Sequence, residues 1–516
     1  MSRFNSNTQN PRKTTNLAGG VAFSLTPEMD LYTRVCTASL QNKFYTSANE
    51  DLESIRKLIK EVDPDLVCKL AIYAREKMYL RSIPLVLMVE LLKNLNEDKS
   101  KKRDGGNLRK TITRVIQRAD EITEILSYFS TANGRDGQKK LKSLPSSLKK
   151  GIADSFHKFD RYQISKYNSD KAIKIRDALF LTCPKPKNEK ESVLFKDLAD
   201  KKLEAPYTWE VELSRLGQQK FASSEEKESA FKKKWENLVS DKALGYMALL
   251  RNLRNILQSG VSRETLNLIC EKISSEEEVS RAKQLPFRYF SAYREIDKLS
   301  EINPFVLEQI KESLEVAVKH SVSNIKGFGP ESRVVIACDV SGSMQTAISE
   351  KSSVEMYDIG LLMGQILQSR CKNVITGFFG DTWKITNFVK GNVLYNTLDL
   401  RRREGEVGYS TNGHLVINWL NTSDIEVDKV MIFTDCQLWN SRGGSSISAE
   451  WSKYRARYPN ARLYLFDLSG GGTSPIDLMV DKNVAQIAGW SDKVFEVLDS
   501  VEKDDKVLDS INGIQL

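Results

Sequence analysis

VVIACDVSGSM, residues 334–344, joins an uninterrupted apolar run to a carboxylate and two hydroxyls, Asp339, Ser341 and Ser343, spaced at i, i+2 and i+4. Five successive apolar residues predict a strand buried on both faces. The three oxygen-bearing side chains then fall on the loop at its carboxyl end, before a helix that starts near residue 353. A hard divalent cation wants an oxygen cage, and Mg²⁺ wants octahedral geometry with water or an outside ligand retained. Two serine hydroxyls can ligate directly while Asp339 balances charge, and the run KVMIFTD delivers a second carboxylate, Asp435, at another strand end.

Around this stretch the pattern alternates. Strand-like runs VVIAC (334–338), NVITGFF (373–379), KVMIFTD (429–435) and ARLYLFDL (461–468) are separated by the helical stretches EMYDIGLLMGQILQSR, TNGHLVINWLN and SAEWSKYRARY. That order predicts an α/β doubly wound, Rossmann-like domain over 333–516, with ligands bound beyond the carboxyl ends of its strands. Asp381 and Asp467 also end strands, as further site residues or as caps.

Upstream the period changes to three and four residues. Segments such as DLVCKLAIYAREKMYL, LRKTITRVIQRADEITEILSYFS and KWENLVSDKALGYMALLRNLRNILQSG predict an all-α region over 21–325, many medium helices joined by short turns. Without heptads, that composition fits a stack of helix pairs. Residues 1–20 are polar and predict a flexible arm, and the glycines and proline of 326–332 predict a linker.

The net charge of +9 conceals an asymmetry. Residues 331–516 carry 19 Lys and Arg against 24 Asp and Glu, a net of −5, which leaves +14 on residues 1–330. A basic helical part suggests a polyanionic partner, nucleic acid first. Its segment KKGIADSFHKFDRYQISKYNSDKAIKIRD interleaves Lys149, Lys150, Lys158, Arg161, Lys166, Lys171, Lys174 and Arg176 with the rings of His157, Phe159, Tyr162 and Tyr167. Basic residues neutralise phosphates and rings stack on bases, although aromatics on helices also serve as core.

Seven cysteines without a CxxC suggest neither a disulfide framework nor a thiolate zinc site, and only three histidines occur. No apolar run approaches the roughly 20 residues of a membrane span, and the first twenty residues lack the apolar core of a secretory signal. The expectation is a cytoplasmic protein without membrane association.

Asp339, Ser341 and Ser343 in DVSGS, Thr411 in GYSTNGH beside Ser410, and Asp435 in FTD together resemble the metal-ion-dependent adhesion site (MIDAS) of the von Willebrand factor A (vWA) domain. That resemblance implies a bound divalent metal ion, Mg²⁺, which captures an acidic group from a partner and drives no chemistry.

The helical part resembles the TROVE domain through AIYAREKMYLRSIP (71–84), TITRVIQRADEITEIL (111–126), LPSSLKKGIADSFHKFDRYQISKY (144–167), YTWEVELS (207–214), LGYMALLRNLRNIL (244–257) and LPFRYFSAYRE (285–295). TROVE followed by a vWA domain is similar to the architecture of the Ro ribonucleoprotein autoantigen family, here a bacterial-type member. The resemblance implies a ring of HEAT-like helix pairs. In it, single-stranded 3′ ends of misfolded noncoding RNAs enter the hole and Y RNA lies on the outer basic surface. It further implies a monomeric, noncatalytic protein that tethers RNA to a 3′-to-5′ exoribonuclease such as polynucleotide phosphorylase. The family's Lys-Tyr pair for Y RNA matches Lys166 and Tyr167, whereas its next basic residue falls on Asp170, with Lys171 adjacent, and its His falls on Cys183.

Arg251 and Arg254 share one helical face, for RNA contact or for inter-helix hydrogen bonds, and Arg288 carries the same two readings. A metal-dependent protein–protein adaptor is the alternative function. A nuclease is disfavoured, since two-metal chemistry needs a carboxylate-rich pair of ions about 4 Å apart.

Overall fold

The structure, a computed structural model, describes residues 12–516 apart from 39–46, 98–105, 135–143, 168–170, 322–330, 349–351, 441–444, 490–497, 499–506 and the single positions 205, 242, 285, 388, 390 and 404. Residues 326–330 of the expected linker and the Asp170 position therefore lie outside the described residues. The chain divides into two compact units. One comprises Met1–Ile55, Leu249–Arg254 and Cys270–Ser510; the other comprises Arg56–Ala248, Asn255–Ile269 and Ile511–Leu516.

Among the described residues the first unit contains nine strands: β1 (Lys13–Thr15), β2 (Val21–Ser24), β3 (Arg333–Asp339), β4 (Asn373–Phe379), β5 (Trp383–Thr386), β6 (Lys429–Thr434), β7 (Arg462–Asp467), β8 (Thr473–Ser474) and β9 (Val484–Ala488). Six of them form a sheet in the order β5-β4-β3-β6-β7-β9, parallel except for the β4–β5 pair. The expected strand starting at residue 334 is thus β3, flanked on both sides.

Each face of the sheet is covered, which is why its central strands read as continuous apolar runs. On one face Val335, Ala337, Val430, Ile432, Leu463 and Leu465 bury against the helices His414–Thr422 and Ile447–Arg457 through Val416, Ile417, Leu420, Trp451 and Tyr454. On the other, the helix Met356–Arg370 lies so close that a Cβ on Gly364 would stand 2.9 Å from Cys338 Sγ. Glycine there permits the approach.

The helices Pro286–Asp297 and Pro304–Ser321 belong to this same unit. Asp358, fully buried, accepts from Arg294 Nη1 at 2.8 Å and from Arg401 Nη1 at 2.7 Å, and Glu315 accepts from Tyr395 N at 2.8 Å. A sequence division at 325 follows the change of period, whereas these ionic and hydrogen-bond contacts tie both helices to the sheet-containing unit.

The flexible arm expected over 1–20 does not describe residues 12–20. β1 pairs antiparallel with β2, and β2 with β8. Asn16 Oδ1 accepts from Ala18 N and Gly20 N, closing the turn, while its Nδ2 donates to Leu438 O at 2.8 Å. A short polar strand at a sheet edge buries little, so no apolar period announces it.

The second unit is helical. Asp63 caps the helix Pro64–Glu76, with proline at the first position where its missing N–H costs nothing. At the end of that helix the buried Arg75 donates to Glu121 at 2.8 Å and to Val115 O at 3.0 Å. The helices Asn107–Val115 and Ser146–Phe156 meet at Gly151, where a Cβ would lie 2.8 Å from Ile112 Cγ2. Among the described residues no helix is long and apolar enough to cross a membrane, and the seven cysteines are free thiols.

Candidate functional site

β3 and β6 run side by side in register, Cys338 opposite Phe433, so their carboxyl ends deliver Asp339 and Asp435 to one place. Asp339 is fully buried; its Oδ1 accepts from Ser341 N at 2.9 Å and its Oδ2 from Thr434 Oγ1 at 2.6 Å. Ser341 Oγ lies 3.3 Å from Ser343 Oγ, and the Ser343 hydroxyl in turn hydrogen-bonds Asp435. Asp435 Oδ1 also accepts from Gln437 N at 2.9 Å. Cys436 between them takes a left-handed φ of 59°, uncommon for a residue with a side chain, and so turns the chain away directly after the carboxylate.

Thr411 sits on the neighbouring loop, which is tied to the serine loop by Gly342 N donating to Tyr409 O at 3.3 Å. Its hydroxyl is buried and accepts from Trp439 N at 3.0 Å. Asp381 anchors this loop by accepting from Ser410 N at 3.0 Å, and Gly408 is needed beside it, since a Cβ there would lie 2.4 Å from Asp381 Cγ. Asp467 closes the turn after β7: it accepts from Ser469 N, Gly470 N and Gln486 Nε2. Thr434, Gln437 and Gly408 were not singled out in the sequence; the Thr immediately before Asp435 in FTD was the available signal for the first.

The donor set fits a hard divalent cation. Burial raises both carboxyls above the ordinary carboxylate range, and for Asp435 the charge of Asp339 adds to this. Neither has a basic partner among the described residues, so two buried carboxyls lie close together beside hydroxyl oxygens, and ionising both there carries an electrostatic penalty. Such a pair is costly unless a cation joins it. Among the described residues no group of three or more His, Cys, Asp or Glu side chains comes together, so the site offers hydroxyls where a soft or carboxylate-rich metal centre would offer thiolates, imidazoles or more acids.

The basic candidates fall in both units. In the helical unit Lys149 and Lys150 are exposed on the helix Ser146–Phe156, and Lys171 is exposed further on. His157 Nδ1 lies 2.9 Å from Glu191 Oε2, and Arg161 pairs with Asp197 at 2.6 Å. Lys158 donates to the carbonyls of Thr113 and Ile116, capping the helix Asn107–Val115. Lys166 stands 5.9 and 5.8 Å from the ring centroids of Tyr162 and Tyr167, and the Arg118 guanidinium 4.7 Å from that of Tyr167.

Arg251, Arg254 and Arg288 belong to the sheet-containing unit. Arg254 pairs with Glu295 at 3.3 Å, whereas Arg251 and Arg288 have no acidic partner among the described residues. Burial, and then the charge of Arg251, lowers the Arg288 pKa. At Cys183, where the family resemblance expects a histidine, the chain turns out of the helix Ile175–Thr182 with φ 50°.

A doubly wound sheet with this strand-end oxygen site, together with a helical unit, defines a protein of the TROVE and vWA class. The chain belongs to the TROVE family: the TROVE domain model matches residues 31–201 and 197–303, and the Ro60 vWA domain model matches 333–501. The crystal structure of Deinococcus radiodurans RO (RSR) protein has the same fold, with a TM-score of 0.58 and 15% identity over 93% of this chain and 100% of that one. Telomerase protein component 1 of Mus musculus is 23% identical over 367 residues, and that of Rattus norvegicus 22% over 366, each over 54% of this chain. The chain spans only 13% of the length of those two relatives.

Proposed function

We propose that the chain is a noncatalytic RNA-binding protein of a Ro-type ribonucleoprotein, holding a Y-like small noncoding RNA on the basic surface of its helical unit and the single-stranded 3′ ends of misfolded or structured RNAs. In that role it contributes to RNA quality control or degradation as a cytoplasmic, monomeric protein, alongside a 3′-to-5′ exoribonuclease. The observation that carries this reading is the cluster of Lys166, Tyr162, Tyr167 and Arg118, in which rings able to stack on bases stand beside cations able to meet phosphates. Arg251 and Arg288, both without an acidic partner among the described residues, supply a second cationic pair.

Asp339, Ser341, Ser343, Thr411 and Asp435 hold a divalent cation, Mg²⁺ by the hardness of their oxygens. When bound, the ion offers a coordination position to an oxygen from outside the protein. Tyr409 and Trp439, half exposed beside the Thr411 loop, favour a second reading in which this face docks an acidic protein partner. The two readings separate on one experiment, retardation of a labelled small RNA by wild-type protein, by Tyr162→Ala/Tyr167→Ala and by Asp339→Ala. The RNA reading expects loss only in the double tyrosine variant, and it fails where RNA is bound by none of the three.

A further inference from the structure

A cavity of about 210 Å³ opens beside the metal site, within the sheet-containing unit. Its walls are apolar: Val21 from β2, Leu438 and Trp439 from the loop after Asp435, Ile447 at the start of the helix Ile447–Arg457, and Pro475. Gly20 lets the β1–β2 turn press onto that loop, since a Cβ there would collide with Leu438 O, and Leu17 N donates to Gln437 Oε1 at 2.8 Å. Gly413 closes the other side, where a Cβ would stand 2.9 Å from Leu438 Cδ1.

Thr411 belongs to both places. Its hydroxyl is one of the metal-site oxygens and accepts from Trp439 N at 3.0 Å, and the residue also lines the cavity. Gln437 N donates to Asp435 Oδ1, so the chain that delivers the carboxylate continues directly as cavity wall. One polar ring faces in. His414 lines the cavity, is only 8% exposed, and its side chain makes no hydrogen bond among the described residues. Burial lowers its pKa, against the charge of Glu450, so at neutral pH the ring is neutral, with one nitrogen to donate and one to accept. A buried polar group without a partner is costly, and a hydroxyl from outside would satisfy it.

We infer that this cavity receives a tyrosine side chain from an acidic protein segment whose carboxylate completes the metal site, an inference that rests on the reading in which this face docks an acidic partner. The volume lies below the roughly 300–1,000 Å³ of small-molecule sites and suits a single side chain. Tyrosine joins an apolar body to a hydroxyl, which matches the apolar walls and the His414 ring, and the half-exposed Trp439 offers a ring for it to pack on. No Asp, Glu, Lys or Arg lines the cavity among the described residues, so the ion alone supplies the charge that complements the segment. The ion reads the acid, and the cavity reads a residue near it. Such a residue lies within two positions of the acid, because neighbours in an extended segment alternate between its faces.

The test is a ligand-detected NMR titration of the full chain in Mg²⁺ with the capped peptides Ser-Tyr-Asp-Tyr-Ser, Tyr-Ser-Asp-Ser-Tyr and Ser-Ser-Asp-Ser-Ser. At least one tyrosine peptide should bind about 10-fold or more tightly than the tyrosine-free one, the gain from burying an aromatic side chain. Its phenylalanine counterpart should bind more weakly, and exchanging its Asp for Asn or adding EDTA should abolish binding. Trp439→Ala keeps the main-chain N–H that holds Thr411 and should weaken the tyrosine peptide alone, while His414→Phe should erase the preference for tyrosine over phenylalanine. Unchanged thermal midpoints verify that both variants fold, and the wild-type comparisons stand without either. Tyrosine peptides no tighter than the tyrosine-free one overturn the inference and leave acid capture intact. It is equally overturned by a tyrosine peptide that binds as well with Asn or in EDTA, or by a Trp439→Ala loss that is the same for all peptides. If no Asp peptide binds in Mg²⁺, the docking reading itself fails.

Discussion

Thr434 Oγ1 donates to Asp339 Oδ2 at 2.6 Å, so the hydroxyl at the end of β6 fixes the carboxylate at the end of β3. Partners that orient a metal ligand typically matter about 10- to 100-fold in metal affinity. Thr434→Val keeps the shape and removes the donor. A Mg²⁺ titration followed by thermal shift should show wild-type protein stabilised by the ion, and Thr434→Val needing at least about 10-fold more Mg²⁺ for the same rise. Equal titrations would deny the hydroxyl this role.

The same pair of carboxylates sets a pH dependence. Burial raises the Asp339 and Asp435 pKa values above the ordinary 3.8, so the folded state holds their protons more tightly than the unfolded chain. Stability is then full below the unfolded value and is lost as pH rises through the folded ones. Urea denaturation in EDTA should show stability falling between acid and neutral pH. Mg²⁺ should restore it at neutral pH, and Asp435→Asn should flatten the fall.

Asp358 is fully buried between Arg294 and Arg401. Removing one partner of a buried ionic group leaves charge uncompensated, at about 3–5 kcal/mol. Asp358→Asn should lower the unfolding free energy of the sheet-containing unit by that amount in urea titration, and a loss below about 1 kcal/mol would place the group among the weak surface pairs.

Gly151→Val should destabilise the helical unit by about 1–3 kcal/mol, because the branched side chain must displace Ile112. Hydrogen exchange at the two crossing helices would report it, as faster opening confined to them.

How far the sequence could be read follows from burial. β3, β4, β6 and β7 were visible because strands covered on both faces read as unbroken apolar runs; β4 spans Asn373–Phe379, the run read from sequence. β5 and β9 were not, since WKIT and VAQIA sit at the sheet edges with mixed polarity, and β1, β2 and β8 are two to four residues long. Asp339, Ser341, Ser343 and Asp435 were legible from spacing after a buried strand, and the structure brings them together. The partners of the basic residues were not legible. Arg161 meets Asp197 and His157 meets Glu191 across helices more than thirty residues apart, which no local pattern encodes.

The central claim is RNA binding, and its most direct measurement is the electrophoretic mobility and integrity of a labelled structured RNA ending in a single-stranded 3′ tail, mixed with purified protein in Mg²⁺ at two salt concentrations. The RNA should be retarded and intact, with binding that depends on the tail and weakens steeply with salt as counterions are released. Absence of retardation at low salt, or shortening of the RNA on adding Mg²⁺, would contradict the claim.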